Sequence, residues 1–276
     1  MIGLNQLANR FQVTPVEGFK WMSQLDRKGL WSLIVGRTVT ELSDNEVVES
    51  LKLGRSFIRW GDGETANLRG KSSWHQSGDT HLSDELDRFL DFIRGADHLV
   101  LGLPFVAIKG PLFNCSTWPL WKIKVLLSTR VLLNSNRIKS IPSSRVADAE
   151  IWYRIFLEIP SILLSIGVKY RPVLLISGND THRDALAEIC SADYFEIKSL
   201  NAFEQYQEIR QFTLDWANAH TAERPIILLA AGSVGKLLVM HLPPEVQVVD
   251  IGSGLSALIK GRIVRDWIVD PEKFKL

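Results

Sequence analysis

The chain has 276 residues, 46% of them apolar and 23% charged, the make-up of a packed globular protein with one large domain or two modest ones. With 32 basic against 31 acidic side chains the formal net charge is +1, which excludes a general attraction to nucleic acid or an anionic bilayer; an anionic ligand has to be held locally. Cys115 and Cys190 stand far apart with no CxxC or Cys/His spacing, which argues against a disulfide framework or a zinc site and fits a reducing interior.

The opening MIGLNQLANRFQV has no basic leader followed by a long apolar stretch, and the longest apolar runs, such as SILLSIGV, are too short to span a bilayer. A cytoplasmic protein without a transmembrane segment is expected. Residues 1–50 read as a helical extension, with Phe19, Met22, Leu25, Leu30 and Leu33 at helix-like intervals, suited to docking on a partner or on a second copy. Ser43 and Glu46 have capping-box spacing, and Gly54 supplies a stop before a strand at 56–60. LSDELDRFLDFIRG predicts a helix with Ser83 as N-cap and Leu86, Phe89, Leu90 and Ile93 on its inner face, followed by the strand HLVLGL. Residues 104–147 are irregular, with Trp118 and Trp121 in their middle. A helix from about Asp148 breaks at Pro160, which opens a second short helix ending at Gly167.

From there strands and helices alternate: PVLLISG, THRDALAEIC, YFEIKS, a long helix NAFEQYQEIRQFTLDWANAH with Asn201 and Glu204 at capping-box spacing, PIILLAAG, SVGKLLVMHL and VQVVDIG. The strands are continuous apolar runs, as in a parallel sheet covered by helices on both faces. The expected fold is α/β, a mostly parallel, Rossmann-like sheet over residues 51–276, behind the N-terminal extension. Open sheets of this kind bind ligands beyond the carboxyl ends of their strands, which points to the loops at 61–65, 177–181 and 231–236.

Asp62-Gly63-Glu64 has two readings. In an extended segment side chains two apart share a side, so both carboxylates converge on a hard cation; Asp-Gly is equally a turn dipeptide. The loop LLAAGSVGK leads from a strand into a helix, where free N–H groups favour a phosphate and Lys236 adds charge; a tight turn needing only Gly232 and Gly235 is the alternative. It is no P-loop, having Ala230 and Leu237 where that motif needs Gly and Ser or Thr. Asn179 or Asp180 is placed to cap the next helix, with nucleotide contact as a second role. His75 and His81 match no metal spacing, and Trp60, Trp74, Trp118 and Trp121 lie near loops where they can stack on a base or sugar. There is no Ser-His-Asp or Cys-His signature.

The order of these pieces resembles the GT-D-fold glycosyltransferases, bacterial enzymes whose pattern begins with Arg-aromatic-Gly-Asp-Gly-Glu. Here it is Arg59-Trp60-Gly61-Asp62-Gly63-Glu64, and the likeness continues through His75-Gln76, LNAFEQY, ILLAAGSVGKLL and VQVVDIG. The resemblance implies that Asp62 and Glu64 bind a divalent cation, Mn²⁺ or Mg²⁺, that holds the diphosphate of a UDP-sugar. On this reading Arg59, Gly61, Gly63, Gln76, Asn179, Gly232, Ser233 and Lys236 surround the donor, and Asp250 is the candidate base. The implied reaction moves a hexose to a glycan or glycoprotein acceptor. After Asp-Ile-Gly, however, the chain reads SGLSALIKG in place of the family's His and acidic or aromatic residues, and the loop at 231–236 lacks the usual proline. A catalytically silent relative that binds a nucleotide or a partner is therefore the second expectation, and a phosphate-handling enzyme using Lys236 the third.

Overall fold

Short apolar runs, free of charge until their last residues, form the centre of one seven-stranded sheet in the computed structural model, which describes residues 41–73, 75–104 and 141–262 apart from the side chain of Asp62. Residues 1–40, Trp74, Cys115, Trp118 and Trp121 lie outside the described residues. The strands are β1 (Ser56–Arg59), β2 (Leu99–Leu103), β3 (Val146–Asp148), β4 (Val173–Ser177), β5 (Asp193–Glu196), β6 (Ile226–Ala230) and β7 (Gln247–Asp250). They run in the order β3-β2-β1-β7-β6-β4-β5, every pair parallel, so the first and last strands are neighbours at the centre.

The described helices are α1 (Asp44–Lys52), α2 (Asp62–Asn67), α3 (Thr80–Gly95), α4 (Ile151–Arg154), α5 (Ile159–Ser165), α6 (Asp180–Ala187), α7 (Tyr206–His220), α8 (Gly232–Val239) and α9 (Gly254–Lys260). One face of the sheet is covered by α3, α7 and α8, through Leu86, Phe89, Leu90, Ile93, Ile209, Trp216 and Leu237. The other is covered by α1, α4, α5, α6 and α9, through Leu51, Trp152, Leu163, Leu186 and Leu255. Full burial of each such side chain contributes about 1.5–3 kcal/mol.

The Ser43/Glu46 box forms, with Ser43 N–H donating to Glu46 Oε2 at 2.7 Å and Glu46 N–H to Ser43 Oγ at 3.3 Å; Gly54 follows the helix end at φ +85°. Ser43→Ala is expected to lower stability by about 0.5–2 kcal/mol, read as a lower urea midpoint at unchanged slope. Leu42 N–H bonds Val146 O at 2.8 Å, so residues 41–50 belong to the α/β body and not to a separate extension.

Three expected caps and boundaries differ. The cap of α3 is Asp79, which accepts from Leu82 N–H at 2.9 Å; Ser83 lies inside the first turn and its hydroxyl donates to Leu68 O at 2.6 Å. Asn201 takes a left-handed conformation (φ 56°), its N–H donating to His75 O and its side chain accepting from Ser77 N–H, both at 2.8 Å. A short 3-10 turn, Ala202–Gln205, then leads into α7, and Glu204 pairs with Lys198 instead of capping. Asp148 ends a strand, because Arg154 and the Glu150 N–H hold its carboxylate; the helix begins at Ile151, and Pro160 sits in the first turn of α5 as expected.

Candidate functional site

β1 ends at Arg59, and the chain turns at once into α2, so the extended geometry that would let Asp62 and Glu64 converge does not continue. Trp60 at the turn is fully buried and stacks on Phe89, with ring centroids 5.9 Å apart, so it is a core residue and not a platform for a base. Its indole N–H donates to Thr65 at 3.0 Å.

Glu64, at the third position of α2, reaches back so that Oε2 accepts the Gly61 N–H at 2.7 Å, the helix-side half of a capping box. Its other oxygen, Oε1, lies 3.1 Å from Lys236 Nζ and 3.3 Å from the Ser233 hydroxyl. Lys236, on α8, also donates to Gly232 O at 2.8 Å and meets Asp250 Oδ2, at the end of β7, at 3.0 Å. An ammonium has only three donors, and these acceptors take all of them. Glu64, Lys236 and Asp250 are each buried. Burial pulls the Lys236 pKa down, but Asp250 and Glu64 outweigh it and hold the ammonium above its ordinary range. Burial likewise disfavours the Glu64 carboxylate, yet Lys236 and the Gly61 N–H keep its pKa below the usual value.

Around this bridge, Ser233 Oγ is 3.0 Å from Asn67 Oδ1, which anchors the start of α8 on α2. Gly232 opens α8 at φ +55°, a conformation that favours glycine, and a Cβ on Gly235 would press on Leu229 Cδ1 at 3.2 Å. Gly235 therefore serves close helix–strand packing. Asp250 Oδ2 also accepts the Arg59 N–H at 3.3 Å, and the Trp152 indole donates to Asp250 O at 2.8 Å. The candidate base is thus a buried strand-end residue joined to the neighbouring backbone and to Lys236.

The Arg59 guanidinium lies over the Tyr153 ring, 5.5 Å from its centroid. Burial opposes its charge, but Asp250, Tyr153 and Glu150 outweigh burial and keep the pKa above its ordinary range. Its Nε is a buried donor without a hydrogen-bond partner among the described residues. Gly252, at φ +50°, packs against the same guanidinium, and a Cβ there would overlap Nη1.

Other expected site residues are engaged elsewhere. Asn179 caps α6, accepting from Thr181 N–H at 3.1 Å. Gln76 is buried and accepts the Phe203 N–H at 3.1 Å, fastening the 75–77 loop to the turn before α7. Gly63 lies against Ser73, and His81 packs on Phe203 at 5.6 Å. The structure therefore gathers Arg59, Gly61, Glu64, Gly232, Ser233, Lys236 and Asp250 at the carboxyl ends of β1, β6 and β7; Gly63 lies within α2 beside them, Gln76 O reaches the group through the Asn67 amide, and Asn179 stands at the end of β4.

A divalent cation fits these residues only in part. Among the described residues no group of three or more His, Cys, Asp or Glu is placed to hold a metal, and both oxygens of Glu64 are engaged. The sequence reading missed Asn67, Tyr153 and Gly252. A polar residue inside a short helix, a tyrosine on an inner face and a glycine after an expected strand carry no local signal of their distant partners. No described helix is long and apolar enough to cross a membrane.

No protein-family model and no curated protein matches the chain. Solved structures do. One, described as a new glycosyltransferase of domain of unknown function 1792 from Streptococcus sanguinis, shares 22% identity over 81% of this chain and 85% of its own, with a TM-score of 0.60. Another, described as the highly conserved domain of unknown function 1792 with a distinct glycosyltransferase fold, shares 21% identity over 85% of each chain, also at 0.60. The α/β fold of this chain, with its parallel sheet flanked by helices, is the fold of those structures.

Proposed function

We propose that the chain is a glycosyltransferase that takes its sugar from a nucleotide-diphosphate donor. One observation supports this most: in a fold shared with solved glycosyltransferases, the Glu64–Lys236–Asp250 bridge ties the β1–α2 turn, the start of α8 and the end of β7 into one rigid edge. The free N–H groups at the start of α8 and the unsatisfied Nε of Arg59 are donors suited to a diphosphate. They stabilise the charge that grows on the departing diphosphate as the glycosidic bond breaks.

A UDP-hexose donor and a divalent cation are part of the proposal. Asp62 and the donor's own phosphate oxygens are the groups proposed to hold the cation. Hard cations are commonly bound by one or two carboxylates plus phosphates, and the cation offsets leaving-group charge when bound. Glu64 acts behind them as a fixed charge, and Lys236 as the clamp on two carboxylates; the ammonium has no donor left for a phosphate. The test is turnover of a panel of nucleotide sugars with a hydroxyl acceptor, with and without Mn²⁺. Asp62→Ala and Glu64→Ala are expected to abolish turnover of a UDP-sugar, and full activity in both rejects the assignment.

The burial of Asp250 favours a second reading, a nucleotide-binding relative without transferase activity. Saturable binding of UDP-sugars by calorimetry, with neither hydrolysis nor transfer, selects it.

A further inference from the structure

At the same carboxyl edge three hydrogen-bonded side chains run from the buried end of β4 to a partly exposed position on α9. Ser177 ends β4 and is buried; its Oγ is 2.9 Å from Nδ1 of His182, in the first turn of α6. His182 Nε2 is in turn 2.7 Å from Oγ of Ser256, on α9. His182 itself is 5% exposed, whereas Ser256 is partly exposed. Ser177 pairs in register with Ala230, and Leu229 with Asp250, so Ser177 lies two strands from Asp250 and one residue further along; its side chain stands on the opposite face of the sheet, the face that α6 and α9 cover and on which the Arg59 guanidinium meets Tyr153.

We propose that Ser256 and His182 form a proton relay for the incoming acceptor hydroxyl; this rests on the glycosyl-transfer reading. The acceptor oxygen bonds to the anomeric carbon while the bond to the diphosphate breaks, its electron pair leaving with the diphosphate. The acceptor's proton passes to Ser256 Oγ as the Ser256 proton moves to His182 Nε2, giving an imidazolium that later releases its proton to solvent. Ser177 orients the ring by accepting Nδ1–H. Its oxygen also takes the Asn179 N–H at 3.2 Å, which fills its second acceptor position. The relay supplies the base that Asp250, spent on Lys236 and the Arg59 N–H, does not.

The surroundings suit a neutral imidazole. β4 carries no charged residue, and Asp180, Arg183 and Asp184 on α6 and Lys260 on α9 are all exposed. Burial pushes the His182 pKa below its ordinary value, so the proton-accepting form persists through neutral pH.

The experiment follows kcat against pH for wild type, His182→Gln and Ser256→Ala, using whichever nucleotide sugar the wild type turns over. Both variants are expected to lose about a hundredfold or more in kcat with little change in donor KM, and His182→Gln to lose the acid limb of the profile. The Ser256 site is partly exposed, so its variant reports on the relay even if His182→Gln fails to fold. Nitrogen-15 NMR of the wild type should show His182 protonated on Nδ1. Wild-type kcat and profile in both variants, or a proton resident on Nε2, overturns the relay and leaves the glycosyl-transfer reading standing. A wild type inert toward every donor overturns that reading and the relay with it.

Discussion

Lys236→Met is expected to destabilise the protein by about 3–5 kcal/mol, because it leaves two carboxylates buried without their counter-ion. Methionine nearly matches the lysine stem, so the loss is electrostatic and not a cavity. Replacing the whole group, as Glu64→Gln/Lys236→Met/Asp250→Asn, should recover much of the stability, since no buried charge is then stranded. The pH dependence has a definite sign. In the wild type Glu64 titrates below its unfolded value, so its stabilisation is present above the unfolded pKa and is lost as pH falls through the folded one. Without Lys236 burial dominates and raises the Glu64 pKa, so the variant gains stability relative to wild type as the solution is acidified. Denaturant midpoints at neutral and mildly acidic pH measure this; a deficit that stays constant or widens on acidification contradicts the clamp.

Gly252→Ala is expected to cost about 1–3 kcal/mol of stability and more than tenfold in nucleotide-sugar affinity. The new methyl carries a left-handed φ of +50° and overlaps Arg59 Nη1, so either the backbone or the guanidinium has to move. If the guanidinium moves, it leaves the Tyr153 ring and the donor edge together. Calorimetry with the donor and thermal unfolding, run on the same sample, separate the two effects. Unchanged affinity with lowered stability would take Arg59 out of the donor site.

The sheet could be anticipated because LVLGL, VLLIS and IILLA are short runs apolar on both faces, the pattern expected of strands covered by helices on both sides. Helix caps were less legible. Asp79 and Ser83 are both good cap residues one turn apart, and only the contact of Ser83 with Leu68 O decides between them. The same holds for Asn201, whose side chain finds Ser77, 124 positions away, before it finds its own helix. The motif at 59–64 lies at the carboxyl edge of the sheet, as its place after an apolar run suggests, but the turn into α2 directly after Trp60 changes what Glu64 can reach. Lys236 read as a free charge from its place after glycine. Its acceptors come from Glu64 and Asp250, which no local pattern associates with it.

Arg59 and Asp250 are 191 positions apart, yet their strands lie side by side in the middle of the sheet. During synthesis β1 therefore emerges long before the strand that completes its other side, and a ribosome-bound chain stopped short of β7 has an open central edge and lacks Asp250. Late closure of this kind is slow, because the pairing that joins distant segments comes last, and a fragment lacking the last strand has no Asp250 to meet Lys236.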